Sequence, residues 1–169
     1  MTTLLIMHNA QHDLMWLWEC GYKYDGAIYD TMLAEYLLVR GQKIPVGLEA
    51  CAERRQLDFQ KDDTLKRYFK EGYNTNEIPL NELSFYLRHD LLTTRELFLS
   101  QEHDYAQPES TSLLPVREVT FATCKALTRM YMSGFSVDNN ALEVVRKEFQ
   151  TEKAQIEERL QRKVRELMG

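Results

Sequence analysis

Two short apolar runs constrain the fold of this chain more than any other feature of its sequence. Residues 4–7 (LLIM) and 27–29 (AIY) have the length of buried strands, and a helical pattern follows each of them. Strands that alternate with helices are typical of parallel α/β sheets, which need several strands to close a core. The sequence therefore predicts an α/β fold that is mostly helical and incomplete, the back half of a domain without its front half.

The remainder of the chain carries helical periodicity. Asp30 stands where it can cap one predicted helix, and Gly21 and Gly41 stand where helices end. The other predicted helices cover 48–56, 64–70, a long segment after Pro79, 114–132, and a charged segment from Asp138 nearly to Gly169. A turn and a short strand are predicted at 133–137.

Composition excludes several classes of protein. Apolar residues make up 44% and charged residues 28% of the chain, which excludes a disordered or collagen-like polymer. No apolar run approaches the length of about 18 residues that a membrane span needs, and the N-terminal residues do not resemble a signal peptide. Three cysteines without a CxxC pair indicate reduced thiols in a cytosolic protein. The histidines lack zinc-ligand spacing, and Trp16 and Trp18 are interpreted as packing residues.

Charge divides the chain at a polar segment that contains a proline, 107–112 (QPESTS). Residues 1–104 carry a net charge of −6 and residues 105–169 a net charge of +1. The total of −5 argues against a free-standing, non-specific DNA-binding protein, so contact with nucleic acid must be local or shared with a partner. We expect two parts, 1–106 and 107–169, with the polar segment as a linker.

Polar residues follow the first predicted strand. In the segment M-H-N-A-Q-H-D, Asn9 stands where the strand ends and Asp13 lies one turn into the next helix. Functional groups of open α/β folds collect at the carboxyl ends of strands, so this junction is a candidate corner of a site. The alternative is that Asn9 caps the helix and Asp13 favours its positive end.

A second candidate lies in the long helix after Pro79. Tyr86 and Asp90 are four residues apart and therefore share one helix face with Leu87 and Leu91. A carboxylate on an apolar stripe is costly to bury unless it is paired or bound to a metal ion. The alternative is a Tyr–Asp hydrogen bond in the core or at its edge.

The order of these segments resembles that of a known family. An apolar strand, H-N-x3-D, a short strand, D-T-M-L-A-E-Y-L-L, L-E-A-C-A-E-R-R and Y-x3-D follow one another along the chain. This order resembles the second and third motifs of the 3′→5′ proofreading exonuclease domain of family A DNA polymerases, the bacterial DNA polymerase I type. That domain is a DEDDy exonuclease with an RNase H-like fold. Beyond 107–112, L-P-V, M-S-G-F-S-V-D and the long charged helix are similar to the start of the polymerase region that leads into the thumb.

The resemblance implies a role for each matched residue. Asp13 and Asp90 would be catalytic carboxylates and metal ligands, and Tyr86 would orient or help deprotonate the attacking water. Asn9 would bind substrate near the scissile nucleotide. In such sites two Mg²⁺ ions about 3.5–4 Å apart activate water and stabilise the leaving 3′-oxygen. The family's D-x-E motif does not occur in this chain, so we expect Asp13 and Asp90 alone to bind Mg²⁺ weakly, and a complete two-metal Mg²⁺ site to form only when another chain completes it.

The resemblance thus implies a subunit or fragment of a family A DNA polymerase. It would contain a partial exonuclease domain at 1–106, then a linker and thumb-like helices at 107–169. Other polymerase subunits or fragments would supply the missing strands and the polymerase core, and DNA would bind by its primer 3′ end through the complex. We expect no membrane partner, a cytoplasmic location and no activity of the chain alone. The alternative is a non-catalytic scaffold or docking module that keeps relic exonuclease residues.

Overall fold

The computed structural model describes residues 3–57 and 63–168, and it divides into two compact units, residues 1–132 and 133–169. Helices predominate, and a small parallel sheet lies in the first unit. The elements are β1 (Leu4–Met7), α1 (Ala10–Glu19), β2 (Ala27–Asp30), α2 (Thr31–Leu38), α3 (Leu48–Arg54), α4 (Thr64–Lys70), α5 (Leu80–Tyr105), α6 (Leu114–Ser133) and α7 (Asn139–Met168). Short 3₁₀ helices cover Thr75–Glu77 and Pro108–Leu113.

The sheet of the described residues consists of β1 and β2. The two strands are parallel and in register from Leu4↔Ala27 to Met7↔Asp30. They therefore end at the same level, and the helices that follow them both begin at the same edge of the sheet. A helix-rich α/β arrangement with few strands was the expectation from the sequence, and at this level it is confirmed.

The short strand predicted at 133–137 is wrong. Residues 134–138 have no regular secondary structure, and the side chain of Phe135 is 89% exposed. A strand is stabilised by hydrogen bonds to a neighbouring strand, and no described segment pairs with this one. Beyond it, α7 forms the second unit, and Asp138 caps this helix by accepting hydrogen bonds from the amides of Asn140 and Ala141.

The core of the first unit is formed by side chains from both strands and from α1, α2, α5 and α6. The ring of Tyr29 packs against Phe98 and Phe121, with ring centroids 4.7 and 5.0 Å away. The hydroxyl of Tyr105 donates to the carbonyl of Ala34 at 3.0 Å, which fastens α5 to α2. Because α6 contributes to this core, the first unit continues past the segment predicted as a linker. The domain boundary at 106 stays a prediction.

A buried carboxylate joins α2, α3 and α5. Glu35 accepts hydrogen bonds from Arg54 at 2.9 Å, from Arg55 at 2.9 Å and from Gln101 at 2.8 Å. Arg55 also binds Asp104 at 2.6 Å. Burial alone would raise the pKa of Glu35, but the hydrogen bonds from Gln101 and Arg54 and the charge of Arg55 outweigh it, so the pKa lies below its ordinary value.

No helix in the described part of the chain combines the length and apolar character that crossing a bilayer demands.

Candidate functional site

One pocket contains both carboxylates that were predicted from separate motifs. The pocket has a volume of about 560 Å³, and Asp13 of α1 and Asp90 of α5 both line it. Its walls are mostly aliphatic and come from β1, α1, α3 and α5. Asp13 and Asp90 therefore line the same pocket although most of the first unit separates them in sequence.

Tyr86 meets Asp90 within α5. Its hydroxyl donates a hydrogen bond to the Asp90 carboxylate, as the spacing of four residues predicts. Burial raises the pKa of Asp90, while the bond from Tyr86 and the charge of His89 act in the opposite direction. The contact between Tyr86 and Asp90 fits a catalytic pair and equally fits the alternative, a hydrogen-bonded pair at the edge of the core.

Asp13 carries an unfavourable negative charge. Burial raises its pKa, the charge of His12 lowers it, and the nearby charge of Asp30 raises it further. No lysine or arginine is found among the described residues that line the pocket. Burial therefore disfavours the charged form of both pocket carboxylates.

Asn9 lies at the turn between β1 and α1. Its backbone is left-handed, with φ 68° and ψ 58°, a conformation that asparagine tolerates better than most residues. Asn9 is the N-cap residue of α1 and Asp13 lies in the first turn of this helix, as the alternative expects, but the Asn9 side chain makes no capping hydrogen bond. The amides of Asn9 and Ala10 instead donate to the carboxylate of Asp30, at 3.1 and 2.8 Å. The Asn9 side chain is exposed, and its role in binding substrate stays a prediction.

Two further residues at the pocket were not recognised as site residues from the sequence. His8 is bonded through Nδ1 to the Thr31 hydroxyl at 2.9 Å, and its ring also interacts with the backbone of Val46. Burial lowers the pKa of His8. Trp16 was predicted to pack in the core or at its rim, but its side chain is 63% exposed and lines the pocket. His8 and Trp16 are close in sequence to Asn9 and Asp13, and this proximity is the signal that could have identified them as site residues.

The two carboxylates of the pocket are the type of ligand that a hard divalent cation prefers, but they are fewer than such an ion needs. Carboxylate oxygens are the ligands that Mg²⁺ prefers, but this ion takes about six ligands in octahedral geometry. Among the described residues no group of three or more His, Cys, Asp or Glu side chains is placed to hold a metal ion. A metal ion held by Asp13 and Asp90 would need further ligands from water, substrate or another chain.

Comparison of the chain with family models, with curated proteins and with solved structures finds no match. The interpretation of the pocket therefore depends on its own geometry and on the order of its motifs.

Proposed function

We propose that the chain is part of a family A DNA polymerase and contributes one half of a 3′→5′ proofreading exonuclease site. The observation that carries the proposal is that Asp13 and Asp90 line one pocket and that Tyr86 donates a hydrogen bond to Asp90. The order of the sequence motifs selects the same three residues. A chance match to short motifs has no reason to place both carboxylates in the same pocket.

The residues of the chain divide the work of such a site. Asp13 and Asp90 would hold Mg²⁺, which when bound supplies Lewis-acid stabilisation and a water that is nucleophilic at neutral pH. Tyr86, oriented by its bond to Asp90, would direct the attacking water. Asn9, whose side chain is exposed at the end of β1, would contact the nucleotide at the 3′ end.

The open edge of the sheet supports a partner chain. β1 pairs with β2 on one side, and no described strand pairs with it on the other. Leu5, Ile6 and Met7 of β1 line the acidic pocket, so a strand added to this edge would reach the pocket as well. We therefore assign to the partner the missing strands of an RNase H-like fold, with the D-x-E carboxylates, and the polymerase core. In this account α6 and α7 begin the polymerase region, and the complex acts in the cytoplasm.

The proposal is tested by reconstitution. The chain is co-purified with a polypeptide that carries a D-x-E strand and the polymerase motifs, and Mg²⁺-dependent degradation of single-stranded DNA from its 3′ end is measured. We expect a stable complex whose nuclease rate falls at least about hundredfold in Asp13→Ala and in Asp90→Ala. Glu96→Ala is the matched control, since Glu96 is an exposed acid on the same helix as Asp90. Absence of both association and activity would overturn the proposal.

A scaffold role is the second candidate, and exposed apolar side chains at the pocket favour it. Leu87 and Leu91 are 57% and 60% exposed on α5, which is typical of a surface that another protein covers. The two candidates differ in one measurement. A reconstituted nuclease that retains full activity in the Asp13→Ala, Asp90→Ala double variant would identify the chain as a scaffold.

A further inference from the structure

Asp30 makes a larger set of hydrogen bonds than a helix cap requires. Its side chain is buried at the end of β2, 1% exposed. The carboxylate accepts bonds from four backbone amides, those of Asn9 (3.1 Å), Ala10 (2.8 Å), Met32 (2.9 Å) and Leu33 (3.2 Å). We propose that Asp30 is the positioning residue of the acidic pocket, because this one carboxylate fixes the first turns of α1 and α2 together.

The parallel register explains why one residue can serve both helices. Met7 and Asp30 are paired at the ends of β1 and β2, so the first turns of α1 and α2 begin side by side. The first amides of a helix have no partner within it and need an external acceptor. Oδ1 of Asp30 accepts from Asn9, Met32 and Leu33, and Oδ2 accepts from Ala10. Both oxygens are needed to satisfy the two helices.

Thr31 reinforces the same turn. Its hydroxyl donates to the carbonyl of Met7 at 3.1 Å and contacts Nδ1 of His8 at 2.9 Å. Asp30 and Thr31 together thus hold residues 7–10, including the left-handed backbone of Asn9. Asp13 lies one turn further along α1, so the start of this helix determines where its carboxylate enters the pocket. The geometric inference stands alone, and its consequence for cleavage rests on the proposed function.

A serine at position 30 separates the two capping roles. Serine is a good N-cap for its own helix, so Asp30→Ser keeps an acceptor for Met32 and Leu33. Its side chain is one atom shorter and has a single oxygen, so it cannot also serve Asn9 and Ala10. The matched control is Asp138→Ser, because Asp138 caps only α7.

The readout is amide hydrogen exchange by NMR on the whole chain. In Asp30→Ser we expect exchange at Asn9 and Ala10 to accelerate about tenfold or more, while exchange at Met32 and Leu33 changes less than about threefold. The Cα chemical shift of Asn9 should move away from the value typical of a left-handed backbone. Asp138→Ser should change none of these four amides.

Two results would overturn the inference: unchanged exchange at Asn9 and Ala10, or equal acceleration at all four amides, which would indicate general loosening. If Asp30→Ser does not fold, Asp30→Asn provides a second test by the same measurement. Its single carbonyl oxygen can replace Oδ1 but its amide nitrogen cannot accept, so Ala10 alone should exchange faster; unchanged exchange at Ala10 would reject the inference.

The reconstituted complex distinguishes this inference from the proposed function. In an active nuclease, Asp30→Ser should lower kcat about tenfold to hundredfold with a smaller change in KM, because Asp13 is displaced but still present. If Asp30→Ser selectively accelerates amide exchange at Asn9 and Ala10 but the complex has no nuclease activity, the proposed function is rejected and the positioning role is retained. An active complex in which Asp30→Ser changes neither exchange nor kcat would remove only the positioning role.

Discussion

Glu35 is the buried charge at which α2, α3 and α5 meet, and its replacement by alanine should destabilise the first unit strongly. Its side chain is 2% exposed and binds Arg54, Arg55 and Gln101. Without it, the guanidinium of Arg55, 12% exposed, keeps its contacts with Asp104 and Ser100 among the described residues. Removing one partner of a buried ion pair costs about 3–5 kcal/mol, a large part of the roughly 5–15 kcal/mol of a typical domain.

Urea unfolding at neutral pH measures this loss. With an m-value of about 1–3 kcal/mol per molar urea, the midpoint of Glu35→Ala should fall by about 1 M or more. Glu96→Ala is the control, since Glu96 is an exposed partner of Arg95 in the same unit and should change the free energy of unfolding by less than about 0.5 kcal/mol. A loss below about 1 kcal/mol in Glu35→Ala, with an unchanged m-value, would show that Glu35 does not stabilise the junction of α2, α3 and α5.

Three further predictions follow from burial and ionisation. Because the pKa of Glu35 is lowered on folding, its stabilising contribution is complete above the unfolded value of 4.5 and disappears as the pH falls through the folded value. Between about pH 5 and pH 3 the wild-type chain should therefore lose more stability to urea than Glu35→Ala, and parallel losses would contradict this. Burial raises the pKa values of Asp13 and Asp90, so the charged forms weaken the fold as the pH rises through those values. Asp13→Asn and Asp90→Asn should each raise the calorimetric midpoint at neutral pH, and a lower midpoint would show that these charges are satisfied. Leu14 is completely buried in the core, so Leu14→Ala should cost about 2–5 kcal/mol in urea unfolding, and a cost below about 1 kcal/mol would contradict its packing role.

Local chemistry made several elements predictable from the sequence. Residues 64–70 form α4 as predicted, and Gly21 has the positive φ that ends α1, whereas α2 ends through left-handed Arg40, one residue before Gly41. Asp30 caps α2 as expected, since the acceptor and the amides lie within three residues of each other. In each case the residues that interact lie within a few positions of each other, so the local sequence pattern is sufficient to predict the structure.

Contacts between distant residues were not predictable in the same way. Asn9 was a plausible cap for α1, but the carboxylate of Asp30 takes the amides of Asn9 and Ala10, and no local pattern indicates this. Trp16 was expected to pack against the protein, yet its exposure depends on which surfaces the other elements cover. The convergence of Asp13 and Asp90 was expected only from the resemblance in motif order, because spacing alone does not relate α1 to α5.

Paramagnetic relaxation by Mn²⁺ tests whether Asp13 and Asp90 share the proposed metal site. Mn²⁺ is a hard cation that replaces Mg²⁺ at carboxylate sites and broadens NMR signals near it even when it binds weakly. On titration into the wild-type chain, the signals of Asp13 and Asp90 should broaden together and before those of Glu96, and Asp13→Asn should abolish the effect at Asp90 as well. Broadening of only one of the two carboxylates, or of neither before Glu96, would contradict a shared metal site.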